Sequence, residues 1–230
     1  IFNKIMKKPV CLVIGAGAGI GGTVAAKFAR EGYHSYLCRR TDQEGLDKLI
    51  KNIEKEGGSA SGCLVNALDD DSLENLIHSV EKEVGAIEVI VYNLGAQSGM
   101  KLLDKTTYKE FEWAWKIASF GLFRVAKVIC PIMAERGKGT FLVTSATAAM
   151  RGNATQHSHA SAMAARRMLC QSLNAEFASK GIHVAHIVID GAVDAPDTLG
   201  KMLGPELFQK LRETKGLDND GLLVPGEIAK

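Results

Sequence analysis

Short apolar runs alternate with longer amphipathic segments along most of the chain. Six mainly apolar runs are found: VCLVIG (10–15), HSYLCRR (34–40), ASGCLVNA (60–67), IEVIVYNLG (87–95), GTFLVTSA (139–146) and IHVAHIVIDG (182–191). Short continuous runs of this kind are typical of strands that are covered on both faces, as in a parallel sheet. Each run therefore predicts one parallel β-strand.

The segments between these runs predict helices over residues 19–32, 44–58, 69–85, 108–135 and 160–179. In the first of them, Ile20, Val24 and Phe28 recur at helical spacing, and Gly32 ends the pattern. Strands that alternate with helices indicate an α/β fold whose sheet is covered on both sides. We therefore expect residues 1–230 to form a single-domain Rossmann-type doubly wound parallel sheet with six readable strands.

Composition and charge exclude several classes of function. The net charge is +2 and the basic residues are dispersed, so neither nucleic acid nor an anionic membrane is an expected partner. No uninterrupted apolar run reaches the ~18 residues that a spanning helix needs, and the start, IFNKIMKKPV, lacks the pattern of a signal peptide. The five cysteines have no paired or metal-binding spacing, which predicts reduced thiols, a cytoplasmic location and no metal site.

A glycine-rich stretch, GAGAGIGG (15–22), joins the first predicted strand to the first predicted helix. Glycines 17, 19 and 22 fit the pattern G-x-G-x-x-G, and glycines 15, 19 and 21 fit G-x-x-x-G-x-G. Because the strand ends at Ile14, the tight turn must start at Gly15, which favours the second register. In either register the backbone can approach a pyrophosphate at the helix N-terminus. The alternative is a turn that only packs the helix on the strand.

The second predicted strand ends in Arg39 and Arg40, and the nearest acid is Asp42. A carboxylate at this point would accept a hydrogen bond from the ribose 2′-hydroxyl of NAD, whereas guanidinium groups can bind a 2′-phosphate. The pair therefore favours NADP(H) over NAD(H). The alternative is a solvated basic turn.

These motifs resemble those of the short-chain dehydrogenase/reductase family from about residue 9 to residue 196. The glycines of the second register have the family's spacing, YNLG (92–95) resembles its N-N-A-G stretch, NALD (66–69) resembles D-V-T-D, and IDGAVDAP (189–196) resembles P-G-x-V-x-T. With Asn66 in place of Asp, a side-chain carbonyl could still bind an adenine amino group. The resemblance implies cofactor contacts at Gly15, Ala18, Gly19, Ile20, Gly21, Asn66, Ala67, Asn93, Leu94, Gly95, Gly191 and Val193.

The resemblance also implies a catalytic tetrad of Asn, Ser, Tyr and Lys. Local alignment places Ala118 at the Asn, Ala146 at the Ser, His159 at the Tyr and Met163 at the Lys. A shift of one residue would restore Ser145 as the serine, but no shift creates the tyrosine or the lysine. The family's tetrad is therefore degenerate in this chain.

The replacements change the acid–base chemistry. A phenol with a pKa near ~10 needs a neighbouring cation to act at neutral pH, and the thioether of Met163 supplies none. An imidazole titrates near ~6.5, so His159 could protonate a carbonyl with Ser145 or Thr147 as its hydrogen-bonding partner. The alternative is a polar helix start with solvated histidines and Met163 as core. Two hypotheses follow: an NADP(H)-dependent oxidoreductase acting on a small carbonyl or alcohol, or a non-catalytic NADP(H)-binding protein.

The resemblance further implies a homodimer or homotetramer formed through the fourth and fifth helices. The fourth helix carries Trp113, Trp115, Phe120 and Phe123, part of which would be interface. Residues 196–224 correspond to the family's substrate lid, and the family's seventh strand is missing from this chain.

Overall fold

The computed structural model describes residues 7–95, 100–213 and 222–230. Six strands form one sheet in the order β3-β2-β1-β4-β5-β6, and every neighbouring pair is parallel. The strands are β1 (Val10–Ile14), β2 (His34–Arg39), β3 (Ser59–Leu64), β4 (Ile87–Tyr92), β5 (Gly139–Ala146) and β6 (Ile182–Ile189). The prediction of a single α/β domain with a doubly wound parallel sheet is confirmed.

Helices cover both faces of this sheet. They are α1 (Ile20–Arg30), α2 (Gln43–Lys55), α3 (Ser72–Ser79), α4 (Tyr108–Arg136), α5 (His157–Phe177) and α6 (Pro205–Glu213). Helix α4 contains one π-helical turn, Lys116–Phe120. Apolar residues of α1 and α2 form one core cluster with the sheet, and those of α3, α4 and α5 form the other. The carboxyl ends of all six strands therefore open on one edge, where ligands of such folds bind.

Several strands end earlier than the apolar runs predicted. The third run was expected to reach Ala67, but β3 ends at Leu64; β4 likewise ends at Tyr92 rather than at Gly95. One further bond to the neighbouring strand follows each end, from the amide of Val65 to the oxygen of Arg39 and from the amide of Asn93 to the oxygen of Ile14, before the chain turns into a loop. Helix α5 begins at His157, three residues before the predicted start at residue 160, so the histidines lie inside the helix.

Among the described residues one helix, α4, is long and apolar enough to cross a membrane by length and composition alone. This helix is Tyr108–Arg136, and 61% of its most apolar window is buried inside the molecule. A core helix of a folded domain has the same properties. In this fold the apolar face of α4 is used against the sheet and α5.

The segment after β6 folds over the glycine loop. Val193 pairs with Leu223 in an isolated parallel bridge, and Arg212 of α6 forms an ion pair with Asp194 at 2.7 Å. A Cβ atom placed on Gly19 would lie 3.0 Å from the Cβ of the next residue in this segment, Ala195. The predicted lid, residues 196–224, is described except for residues 214–221.

Candidate active site

The geometry of the turn after β1 requires glycine at three positions, 15, 21 and 22; a Cβ on Gly22 would lie 2.5 Å from the backbone oxygen of Gly17. Gly15 has φ = +98°, and a Cβ there would lie 2.6 Å from the backbone oxygen of Asn93. A Cβ on Gly21 would lie 2.3 Å from the backbone oxygen of Gly15, whereas one on Gly17 would meet nothing within 4 Å. The register that starts at Gly15 therefore has its first and last glycines where no side chain fits.

The start of α1 presents a row of backbone donors. Gly19, the N-cap residue, makes no side-chain capping bond, and within the described chain we find no hydrogen-bond acceptor for the amides of residues 18–21. The next amide, that of Gly22, donates to the oxygen of Gly17 at 2.8 Å. Free amides at the positive end of a helix dipole bind anions. The loop therefore fits the pyrophosphate of a dinucleotide.

Asn93 ties this loop to the centre of the sheet. Its amide donates to the oxygen of Ile14 at 2.8 Å, and its Nδ2 donates to the oxygen of Gly15 at 2.9 Å. Its Oδ1 accepts from the hydroxyl of Thr144 on β5 at 2.8 Å. Asn93 thus fixes the loop through its side chain, while the following residues, Leu94 and Gly95, face the cleft edge.

The end of β2 carries one paired and one exposed cation. Arg39 forms an ion pair with Asp42 at 2.9 Å, and the Asp42 carboxylate also accepts from the amide of Gly45 at 2.9 Å as the N-cap of α2. Arg40 is exposed. Asp42, the acid nearest to the predicted position of the cofactor ribose, is therefore already bound by the Arg39 guanidinium and by the first turn of α2.

The loop after β3 is held by local bonds and by one arginine. Asn66 donates from Nδ2 to the Asp69 carboxylate at 2.6 Å and accepts from the amide of Leu68 at 3.3 Å. Arg124 of α4 donates to the oxygen of Ala67 at 2.9 Å. The side-chain oxygen of Asn66, predicted to face adenine, therefore accepts a long bond inside its own loop and keeps one lone pair.

Two further predicted cofactor residues, Gly191 and Val193, lie beyond β6. Gly191 has φ = +152° and approaches Leu223, the residue that pairs with Val193. The structure thus places both of them in the segment that covers the glycine loop.

Three of the four predicted tetrad positions, Ala118, Ala146 and Met163, lie in apolar surroundings. One buried cluster consists of Ala114, Ala118, Ala148, Ala149, Ala162 and Met163, with Trp113, Ala146 and Ala160 packed against it; we call it the alanine cluster. Ala118 is fully buried and Met163 is 2% exposed. The two residues predicted to stand at the family's asparagine and lysine positions are therefore buried members of the same apolar cluster.

Ser145 stands at the border of the alanine cluster. It is buried, and its hydroxyl lies 3.8 Å from the sulfur of Met163, a distance that suits a weak hydrogen bond to a thioether. Met163 and His159 are four residues apart and share one face of α5. Ser145 of β5 lies against this face at Met163. Thr147, the other predicted partner, begins a short 3-10 turn.

His159 lies in the first turn of α5 and is 8% exposed. The alternative of two solvated histidines is therefore wrong for His159, because its ring is enclosed by the fold. His157, two residues earlier, is half-buried. The fold therefore shields the His159 ring from bulk water.

One charged residue behind the cleft was missed in the sequence. Arg166 on α5 is 1% exposed, although it looks like its neighbour Arg167 in the stretch MAARRML. The spacing of Arg166 from the buried residues of α5 is the signal that could have revealed its burial, because residues three or four apart share one face of a helix. Arg166 falls on the buried stripe of α5, which includes Ala162, Cys170, Leu173 and Phe177.

Comparisons with known proteins agree with this architecture. The family described as short chain dehydrogenase matches residues 9–199. The 7alpha-hydroxysteroid dehydrogenase of Escherichia coli (strain K12) is 28% identical over 200 residues, which cover 87% of this chain and 76% of that protein.

Solved structures agree as well. A short-chain dehydrogenase from Rhodopseudomonas palustris has a TM-score of 0.74 at 31% identity, with 78% of this chain and 84% of that chain covered. A short-chain dehydrogenase from Sphingobium yanoikuyae in complex with NADPH has a TM-score of 0.78 at 21% identity, with 96% and 81% covered; this likeness shows the fold alone. The family match over most of the chain, on a sheet of this order, leads to one conclusion: the chain belongs to the short-chain dehydrogenase/reductase family.

Proposed function

We propose that this protein binds NADP(H) and transfers hydride between it and a small carbonyl or alcohol, with His159 in the place of the family's tyrosine. The observation that carries the proposal is the start of α1, where the amides of residues 18–21 have no acceptor in the described chain. Glycine at 15 and 21 allows the turn that presents these amides, because a Cβ at either position would strike the backbone of Asn93 or of Gly15.

The choice of NADP(H) over NAD(H) rests on the end of β2. Arg40 is exposed and can pair with a 2′-phosphate, and Arg39 lies beside it. The Asp42 carboxylate, which would otherwise accept from a ribose hydroxyl, is engaged by Arg39 and Gly45. The structural relative from Sphingobium yanoikuyae was solved with NADPH, which supports the same choice.

The mechanism divides between the cofactor and the chain. A bound nicotinamide supplies the hydride chemistry. Residues 15–21 hold the phosphates, Asn93 keeps this loop in place, and His159 delivers a proton to the carbonyl oxygen during reduction or removes one from the alcohol during oxidation. Burial of His159 at the helix start keeps bulk water away from that transfer.

The test combines binding with turnover. NADPH is titrated against the protein by fluorescence, and reduction is then measured over a panel of carbonyl compounds for wild type, His159→Ala and His157→Ala. We expect NADPH binding in all three proteins and a loss of about 100-fold or more in kcat/KM for His159→Ala alone. Absence of NADPH binding in wild type would overturn the proposal at its base, and equal turnover by His159→Ala would remove His159 from the mechanism.

The alanine cluster favours a second candidate, a non-catalytic NADP(H)-binding protein that acts as a sensor, scaffold or partner subunit. Its packing leaves no polar group at Ala118 or Met163 to relay a proton or to bind the nicotinamide ribose. NADPH binding without turnover on the whole panel would favour this candidate. Efficient turnover by wild type would exclude it.

We propose that the protein assembles as a homodimer or homotetramer through α4 and α5. On α4, Phe111, Trp115, Phe120 and Phe123 are exposed, and the rings of Trp115 and Phe120 stack at 5.5 Å between centroids. Met168 extends the exposed apolar surface to α5. Light scattering should give a dimer or tetramer mass for wild type and a monomer for Phe120→Asp.

A further inference from the structure

The guanidinium of Arg166 is bound by the backbone of three separate elements. Its Nε donates to the oxygen of Ala118 at 2.9 Å, its Nη1 to that of Thr144 at 2.8 Å and its Nη2 to that of Leu94 at 2.7 Å. Arg166 thus makes at least one bond from each of its three nitrogens. A guanidinium with this planar fork is suited to fixing several acceptors at once.

The charge of Arg166 is balanced without an acid. Among the described residues no carboxylate forms an ion pair with it, and its central carbon lies 5.2 Å from the ring centroid of Tyr92. The Tyr92 hydroxyl in turn donates to the oxygen of Ile117 at 2.5 Å. Burial lowers the pKa of Arg166, but an arginine remains charged in proteins. A full positive charge is therefore held by carbonyl dipoles and one aromatic face.

The three acceptors belong to the three walls of the candidate cleft. Leu94 lies in the predicted cofactor loop after β4, Ala118 lies in the π-helical turn of α4, and Thr144 directly precedes Ser145 on β5. Arg166 itself follows Met163 by three residues on the same face of α5. The cation therefore stands directly behind the position where the family's lysine would be.

We propose that Arg166 is the positioning residue of this cleft: it fixes the backbone of the three walls and supplies, from behind, the positive charge that Met163 cannot supply. The inference rests on the proposed NADP(H) function, because the Leu94 carbonyl fixes a loop that would contact the cofactor. A guanidinium at this place holds the predicted cofactor loop against the middle of α5.

The field of Arg166 has a natural reporter in His186 of β6. Burial lowers the pKa of His186 first, and the charges of Arg166 and Arg167 lower it further. Removal of the Arg166 charge should therefore raise the pKa of His186. A shift caused by loss of packing alone would not depend on whether the substituted residue is charged or neutral. Nuclear magnetic resonance of the His186 ring measures this shift without any ligand.

The experiment uses three variants and one control. Arg166→Lys keeps the charge and loses the fork, Arg166→Gln keeps two donors and loses the charge, and Arg166→Met keeps only bulk. Arg167→Met removes the same charge from the half-buried neighbour and serves as the matched control for NADPH affinity and amide exchange; because the Arg167 charge also lowers the pKa of His186, that pKa should rise in this variant as well. Each protein is assayed below its unfolding temperature for NADPH affinity, for the pKa of His186 and for amide exchange.

We expect Arg166→Met to raise the Kd for NADPH by about tenfold or more, since small displacements of supporting residues cost that much in a preorganised site. Arg166→Gln should weaken NADPH by less than Arg166→Met but raise the pKa of His186 equally. Arg166→Lys should leave the pKa of His186 near its wild-type value and recover part of the affinity. Arg167→Met should bind NADPH as wild type does.

Amide exchange tests the positioning without a cofactor. The amides of Gly95, Ser119 and Ser145 belong to the three peptide units whose oxygens Arg166 holds, and they should exchange faster in Arg166→Met and Arg166→Gln. Unchanged exchange at these amides, or unchanged NADPH affinity in both neutral variants, would overturn the inference. If wild type fails to bind NADPH but the three amides still respond, the proposed function fails while the positioning by Arg166 stands.

Discussion

The glycine loop and the alanine cluster lie at the same edge of one sheet, but they retain different amounts of the family's chemistry. At the glycine loop, Gly15 and Gly21 are required by contacts of 2.6 Å and 2.3 Å that a Cβ would make. At the alanine cluster, Ala118 and Met163, which are predicted to stand at two tetrad positions, are members of one buried apolar cluster. The first region presents backbone donors, whereas the family's chemistry at the second depends on side chains. Side chains are exchanged by substitution more readily than backbone amides are lost, so the two regions are expected to diverge at different rates.

The largest effect should come from Gly21→Ala. The added Cβ must displace the backbone of Gly15, so the amides of residues 18–21 lose their alignment. We expect the Kd for NADPH to rise about 100-fold, in line with the cost of overpacking a closed site. Fluorescence titration measures it, with Gly17→Ala as the control because nothing lies within 4 Å of that Cβ. If both variants bind NADPH equally, the glycine loop does not carry the affinity.

Met163→Lys should destabilise the alanine cluster. An ammonium at this position enters the alanine cluster and stands beside the charge of Arg166, so the variant should lose about 3 kcal/mol of stability at neutral pH. Because burial lowers the pKa of the new lysine in the folded state, the loss should diminish as the pH rises toward ~10. Chemical denaturation across pH measures both.

The same substitution made together with Arg166→Met separates repulsion from burial. If Arg166 contributes, Met163→Lys should cost less stability in that background than in wild type. An identical cost in both backgrounds would mean that the two positions do not interact.

A moderate effect is expected at the end of β2. In Arg39→Ser combined with Arg40→Ser, the 2′-phosphate loses its partners and Asp42 is released to accept from a ribose hydroxyl. The preference for NADPH over NADH should fall by about tenfold. Arg30→Ser, which removes a charge from the exposed end of α1, is the control. If the double variant still prefers NADPH over NADH, residues other than Arg39 and Arg40 bind the 2′-phosphate.

The smallest effect concerns a thiol on β3. Cys63 lies 4.0 Å from Cys38, its register partner on β2, and hydrogen bonds from the Cys38 thiol and the Tyr36 hydroxyl lower the pKa of Cys63 to about 6. A lowered pKa means that the thiolate already predominates at pH 7. Alkylation by iodoacetamide should therefore rise through pH 6 and level off above it, whereas Cys38→Ala should move the rise to higher pH. A rise near pH 8.5 in wild type would show an ordinary thiol.

The sequence predicted the sheet because its central strands, β1 and β4, are buried on both faces and appear as uninterrupted apolar runs. It also predicted that Ala118, His159 and Met163 occupy the tetrad positions, an assignment that remains a prediction. Strand ends were less predictable, because polar residues follow the apolar runs directly. Asn93, for example, comes straight after β4 but binds the glycine loop and Thr144 through its side chain. Arg166 could not be separated from Arg167 by residue type, since only the phase of α5 decides which of the two is buried.

The buried guanidinium of Arg166 limits which single substitutions the cleft can accept. In a lineage that carries it, a single change of Met163 to lysine would place two cations side by side in an apolar space. A single loss of Arg166 would leave three carbonyl oxygens without a donor. Each of these changes should therefore cost stability when it is made alone, and the cost of the two together should be less than the sum of the two separate costs.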